Sequence, residues 1–237
     1  MVQQGKVGPP VQCVSNCRVA DPSTRAARRS DALSRERIVA AAVEILDLGG
    51  EVELTVRGLT AHLATGRGAI YHHVAGKDEL LAAATDHVVA QALAAVHADE
   101  APESAIRSLA LGIFDTVDAH PWVGTQLTRE PTQVAVLRLW TSIGIQLQRL
   151  GVDASALSDA GGALVSYILG STAQYVAGPR TLTDEADRQT KLDRLAALWI
   201  EHDPNPLVVE AASQLRDHDD RAQFLAGIDI FLNGIRR

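Results

Sequence analysis

Residues 65–74, Thr-Gly-Arg-Gly-Ala-Ile-Tyr-His-His-Val, place a guanidinium, a phenol and two imidazoles between Arg67 and His73. Such groups could ligate a metal, move protons or hold a phosphate backbone. The metal reading fails on geometry. Successive helical residues point about 100° apart, whereas helical ligand pairs need i, i+3 or i+4 spacing. Tyr and His side chains do hydrogen-bond phosphate oxygens, and such contacts fix register on a duplex without reading its sequence. Arg67 adds a fork that fits guanine O6 and N7.

The other reactive residues assemble no second chemistry. The chain carries no H-E-x-x-H, no G-x-S-x-G, no P-loop and no dinucleotide fingerprint. His62, His87, His97, His120, His202 and His218 are scattered, with no carboxylate at fixed spacing. Cys13 and Cys17, in Cys-Val-Ser-Asn-Cys, fall short of the about four ligands of a zinc site, and the nearest histidine is His62. They read as reduced thiols in a tail, in keeping with a reducing cytoplasm. No metal, no cofactor and no catalysis are expected.

Composition bounds the fold that must position Arg67–His73. The 237 residues suffice for one large domain or two small ones. Hydrophobic content is 46% and aromatic content only 4%, with abundant Ala and Leu, which favours packed helices over sheet. No apolar run reaches the ~20 residues of a membrane span, and the amino-terminal segment lacks a signal-peptide core. The formal charge of −7 is unevenly spread: residues 1–77 balance at +3, with ten Lys/Arg and seven Asp/Glu, and residues 78–237 at −10. Only the first third suits a nucleic-acid backbone.

Residues 1–30 show no apolar period and read as a mobile basic arm ending in Arg25, Arg28 and Arg29. From Ser34, a candidate N-cap, the pattern is helical. Ile38, Ala41, Ala42 and Ile45 follow i, i+3, i+4, i+7, and Gly49-Gly50 is the stop. Thr55 predicts the N-cap of a second helix with Val56, Leu59 and Leu63 on its buried side. After a break at Ala64-Thr65-Gly66, a third short helix spans roughly Arg67–His73, with Ile70 and Val74 inward and Gly76 ending it. Two short helices braced by a longer one form a helix-turn-helix, whose second helix enters the major groove. Residues 31–77 are therefore the expected DNA-binding domain.

Residues 78–237 read as almost continuous helix, punctuated at Pro102, Pro121, Pro131, Gly151 and Gly178-Pro179. The first segment runs towards His97. The others are predicted at 103–119, 122–128, 132–150, 154–176, 186–201, 205–216 and 220–235. The expected fold is all-α: a three-helix head and a larger helical body for ligand binding and dimerisation. In that body Phe114, His120, Trp122, Trp140, Tyr167, Gln174 and Tyr175 concentrate aromatic and polar groups. With Leu137 near Trp140, and Ser171 between Tyr167 and Gln174, they form a candidate small-molecule wall. Two apolar stripes suggest a four-helix homodimer interface: Leu157, Gly161, Leu164, Ile168 and Thr172, then Phe224, Ile228, Phe231 and Ile235.

The segment 54–81, LTVRGLTAHLATGRGAIYHHVAGKDELL, resembles the helix-turn-helix signature of the TetR family of transcriptional regulators. The likeness is carried by Leu54, Thr55, Arg57 and Leu59, then Ile70, Tyr71, His73 and Val74, then Lys77, Leu80 and Leu81. With the first helix it covers about 45 residues. The carboxyl-terminal FLAGIDIFLNGI resembles the last helix of the tetracycline-repressor-like branch. The resemblance implies a homodimer, each head reading one half-site, above a helical body with a small-molecule pocket. By matched position it implies phosphate contacts from Thr55, Arg57, Tyr71, His73 and Lys77, and base-edge positions at Arg67, Ala69 and His72. Gly58 stands where the family commonly has a basic residue. Gly66 and Gly68 leave the third helix few side chains, which concentrates base readout on Arg67.

These readings combine into a ligand-responsive DNA-binding regulator, a repressor released from a palindromic operator by a small apolar or aromatic molecule. The helix beginning near Lys77 is the expected lever. Two other readings stand beside it: a regulator without a small-molecule ligand, and an all-α binding protein or enzyme with a vestigial head.

Overall fold

The computed structural model describes residues 33–97, 99–129, 132–177, 185–215 and 219–235, which form eleven α-helices and no strand. The amino-terminal arm with Cys13, Cys17, Arg25, Arg28 and Arg29, and the breaks at Pro131 and Gly178-Pro179, lie outside the described residues.

Helix α1, Arg35–Glu53, buries Ile38, Val39, Ala41, Ala42 and Leu46. Leu46 takes the inward place expected of Ile45, which is half-buried. The glycine pair interrupts this helix without ending it. Gly50 has φ 67° and ψ −167°, and helix resumes as far as Glu53. Helix α2, Val56–His62, is capped by Thr55, whose Oγ1 accepts from Gly58 N at 3.0 Å. Helix α3, Arg67–Tyr71, is shorter than predicted, because His72 already serves as its C-cap. In the connection the left-handed residue is Ala64, at φ 49°, and neither neighbouring glycine. Helix α4, Lys77–Ala94, carries Asp78 and Glu79 at its positive end and buries Leu80, Leu81, Ala84, Thr85, Val88 and Val89.

The body continues with α5 Pro102–Ala119, α6 Pro121–Arg129, α7 Val134–Arg149, α8 Ala154–Ala177, α9 Glu185–His202, α10 Pro206–Gln214 and α11 Asp220–Ile235. Pro102, Pro121 and Pro206 each open a helix, where a missing N–H removes no intrahelical bond. Ile106, Ile113 and Val117 of α5, Leu139, Ile143 and Leu147 of α7, and Leu164 and Ile168 of α8 are buried in the core. Helix α6 packs on α1, α4, α5 and α8, so it touches head and body together. Arg107–Asp229, at 2.7 Å, and Arg221–Asp115, at 3.0 Å, fasten α5 to α11. Among the described residues no helix is long and apolar enough to cross a membrane.

Most residues of the two stripes read as a dimer seam are already covered within the single chain. Gly161, Leu164, Ile168 and Thr172 of α8, and Phe224 and Ile228 of α11, are buried within the single chain, while Leu157, Phe231 and Ile235 are half-buried. Periodicity marks a face that is covered but not what covers it. Both helices turn a second face outward: Ala163, Ser166 and Gly170 on α8, and Ala226, Ile230 and Asn233 on α11. Ile230 is 72% exposed.

The dihedrals at Gly50 belong to a region that residues with a Cβ avoid. Gly50→Ala should destabilise the protein by about 1–3 kcal/mol in chemical denaturation. An unchanged midpoint would show that the chain passes this point by another route.

Candidate functional site

The head presents one exposed surface. Arg67, Gly68, Tyr71 and His72 are exposed, while Ala69 and His73 are half-buried. Ile70 and Val74 are buried at 1% and 4%, and fix α3 on its inner side. Tyr71 is 55% exposed, so its ring is not core. The His72 and His73 rings meet edge to face at 5.3 Å between centroids, a divergent pair. Among the described residues no group of three His, Cys, Asp or Glu side chains could hold a metal ion. Thr55 and Arg57 lie exposed at the start of α2. A Cβ on Gly58 would stand 3.2 Å from Glu53 O and 3.3 Å from Thr55 Oγ1, so glycine here keeps the cap uncrowded. Lys77 donates from Nζ to the Glu51 carbonyl at 2.6 Å.

A set of polar contacts joins head to body, and sequence reasoning missed it. Asp47 Oδ1 accepts from Trp122 Nε1 at 2.8 Å and lies 2.7 Å from His120 Nδ1. One turn on, Glu51 accepts two hydrogen bonds from Arg129, at 3.2 and 3.1 Å, and one from Gln126 Nε2 at 3.2 Å. The Arg129 bonds hold the Glu51 carboxyl below its usual range; partial desolvation opposes this, and the charges of Arg129 and Lys77 reinforce it. Glu79 is also held low, first by the Ala75 backbone N–H and then by Arg35. Asp47 and Glu51 stand four residues apart on either side of the Gly50 interruption, and that spacing was visible in the sequence. Their partners, 73 to 78 residues away, were not. Two histidines without a carboxylate at fixed spacing meet one through the fold: His62 pairs with Glu44 and His120 with Asp47.

A cavity of about 550 Å³ opens between α5, α8, α9 and α11. Of the predicted wall it gathers Phe114, Tyr167, Ser171, Gln174 and Tyr175, and it adds Arg188, Leu192, Leu195 and Phe224. Rings run along one side, Tyr175–Phe114 at 4.6 Å, Phe114–Phe224 at 5.1 Å and Phe224–Tyr167 at 5.7 Å between centroids, and behind the wall the run continues from Tyr167 to Phe231 at 5.5 Å. All three phenylalanines of the chain and two of its three tyrosines belong to this run. Polar groups edge it, including Arg188, which lies 3.6 Å from Asp220.

Four predicted wall residues do not line this cavity. His120 and Trp122 serve the Asp47 contact instead. Leu137 and Trp140 lie on the outer side of α7, 63% and 36% exposed, because α7 turns Leu139, Ile143 and Leu147 inward. The Trp140 indole rests instead beside Gly161 of α8.

A helix-turn-helix head on an all-helical body with a cavity between its helices defines a class of DNA-binding regulators. The family model for bacterial regulatory proteins of the tetR family matches residues 38–84. The transcriptional regulator SCO7222, a TetR from Streptomyces coelicolor, is 47% identical with a TM-score of 0.75, over 86% of this chain and 98% of that one. An HTH-type transcriptional regulator of Saccharopolyspora erythraea is 26% identical over 174 residues, 70% of this chain and 74% of the relative. The fold also matches the Streptomyces coelicolor TetR family protein ActR in complex with actinorhodin, at 22% identity and TM-score 0.70, over 86% of this chain and 95% of that one. The chain belongs to the TetR family of transcriptional regulators.

A carboxyl whose pKa is lowered on folding contributes stability above its unfolded value, and that contribution is lost as pH falls through the lowered one. Glu51→Gln should therefore lower the melting temperature at neutral pH. The gap should close as pH falls below the ordinary 4.5. A gap that persists in acid would mean that the Glu51 charge is not what Arg129 holds.

Proposed function

We propose that this chain is a repressor that a small aromatic molecule releases from a palindromic DNA operator. Residues 31–77 bind DNA, and residues 78–237 bind the effector and a second copy. The observation that carries this reading is the aromatic-walled cavity in the body of a chain whose head presents Arg67 and Tyr71 outward. Ligand pockets are mostly apolar with a few placed polar groups. Here a ring wall with Ser171, Gln174 and Arg188 at its edge suits a planar ring system bearing hydroxyl or carbonyl groups. ActR, with the same fold, was solved with actinorhodin bound. The protein acts by binding and not by catalysis, and it carries no cofactor.

In the dimer the outward faces of α8 and α11, centred on Ile230, pack on their counterparts. Two α3 helices then lie about 34–36 Å apart in successive major grooves. Thr55, Arg57, Tyr71, His73 and Lys77 hold phosphates, while Arg67, Ala69 and His72 face bases. An effector that binds better to a body of different spacing draws the population away from DNA by no more than its differential affinity.

Selection of bound duplexes from a random pool should return a palindrome. On that site Arg67→Ala should weaken binding by about 1–3 kcal/mol, with a much smaller loss on random DNA. Equal losses on both would refute base reading by Arg67. Hydroxylated polycyclic aromatics should release the operator and quench tryptophan emission, and no release across a broad panel would refute the effector.

Nothing lies within 4 Å of a Cβ built on Gly68, so folding alone does not require glycine there. Gly68→Ala should stabilise the helix by about 0.5–1 kcal/mol. If DNA passes close to that backbone, the same variant binds the operator more weakly. Higher stability with unchanged affinity would place the DNA elsewhere.

A further inference from the structure

The carboxyl end of α5 is held from two sides. Tyr175 of α8, in the cavity wall, donates its hydroxyl to Asp118 Oδ1 at 2.6 Å. Two residues further, His120 faces Asp47 Oδ1 of α1 at 2.7 Å, and Trp122 at the start of α6 donates to the same oxygen at 2.8 Å. The last turn of α5 and the first of α6 thus connect one cavity residue to the first helix of the head.

We infer that the Tyr175–Asp118 and His120–Asp47 contacts form the route by which an occupied cavity alters the DNA-binding head, with Asp118 and Asp47 as positioning residues. This inference rests on the ligand-responsive reading above. A ring lying against Phe114 competes for the space of Tyr175, whose own ring is 4.6 Å from Phe114. Displacing Tyr175 moves the hydroxyl that Asp118 holds, and with it the α5–α6 corner. Little slack exists to absorb that movement. A Cβ on buried Gly124 of α6 would stand 2.9 Å from Val176 of α8 and 3.2 Å from Val117 of α5. The corner and α6 therefore shift together with α8. Asp47 and Glu51, fastened to that corner and to Arg129, carry the shift into α1. The lever expected at α4 gains a second arm through α1.

A ring placed in the cavity by mutation replaces an unidentified effector. Ser171→Phe supplies it from α8, and Leu195→Phe supplies it from α9 should the first variant fail to fold. Operator affinity is measured for the wild type, the filled variant, Asp118→Ala and the double variant, with thermal unfolding as the control for folding. Filling should weaken operator binding about tenfold in the wild-type background. With Asp118→Ala the weakening should shrink to about twofold or less. Asp118→Asn, which keeps an acceptor oxygen, should restore the response. Hydrogen exchange at residues 47–53 should rise on filling only where Asp118 or its amide is present. Equal weakening with and without Asp118 overturns the route and leaves the ligand-responsive reading standing. No weakening in either background overturns that reading and the route with it.

Discussion

A helix of five residues cannot hold its own shape in water, because nucleation costs more than one turn of hydrogen bonds returns. Helix α3 is that short, and Gly66 offers it no side-chain cap. It persists because Ile70 and Val74 are buried against the neighbouring helices. The residues it carries outward, Arg67, Tyr71 and His72, therefore have no position of their own. Where they stand is decided by α1, α2 and α4, and everything that moves those helices moves the surface offered to DNA.

The head is not joined to the body by a slack linker. Lys77, the first residue of α4, grips the Glu51 carbonyl, and Arg35 at the start of α1 reaches Glu79 on α4 at 2.9 Å. Asp47 and Glu51 then seat the far end of α1 on α6. Spacing between two recognition helices in a dimer becomes a property of the whole body. That is the condition under which a small molecule far from DNA could govern binding at all.

What the sequence made legible was whatever is encoded locally. Thr55 capped α2, Pro102 and Pro121 opened helices, and the helical head and body followed. What stayed hidden was direction. On α7, Trp140 and Leu139 are neighbours in sequence, and only packing settles that Leu139 goes inward and Trp140 outward. On α8 and α11 the apolar stripes were real, yet they faced their own core and left Ile230 outside. The cavity wall was half legible for the same reason. Tyr167, Ser171, Gln174 and Tyr175 share a helix, so their spacing placed them together, whereas Arg188 and Phe224 come from helices whose approach no local pattern records. The turn of the head also kept its secret: Ala64, and not Gly66, bears the left-handed conformation.

The contacts that join head to body are polar and partly exposed, and this bears on how they are used. Half-exposed ion pairs contribute little to stability, since water and salt compete for both partners. An apolar joint would add more stability but would resist repositioning, because packed interiors deform little. Under the proposed ligand response, a joint that changes under a ligand worth a few kcal/mol cannot be as stiff as the core. Asp47 and Glu51 meet that requirement. They fix the angle of α1 through directional bonds while leaving the fold to Ile38, Ala42 and Leu46. The tight packing lies one layer deeper, where Gly124 lets α6 press on α8 and α5. In the proposed route, displacement passes through a stiff contact inside and is released through a soft one at the head, so the same polar groups would both orient the DNA-binding surface and yield it.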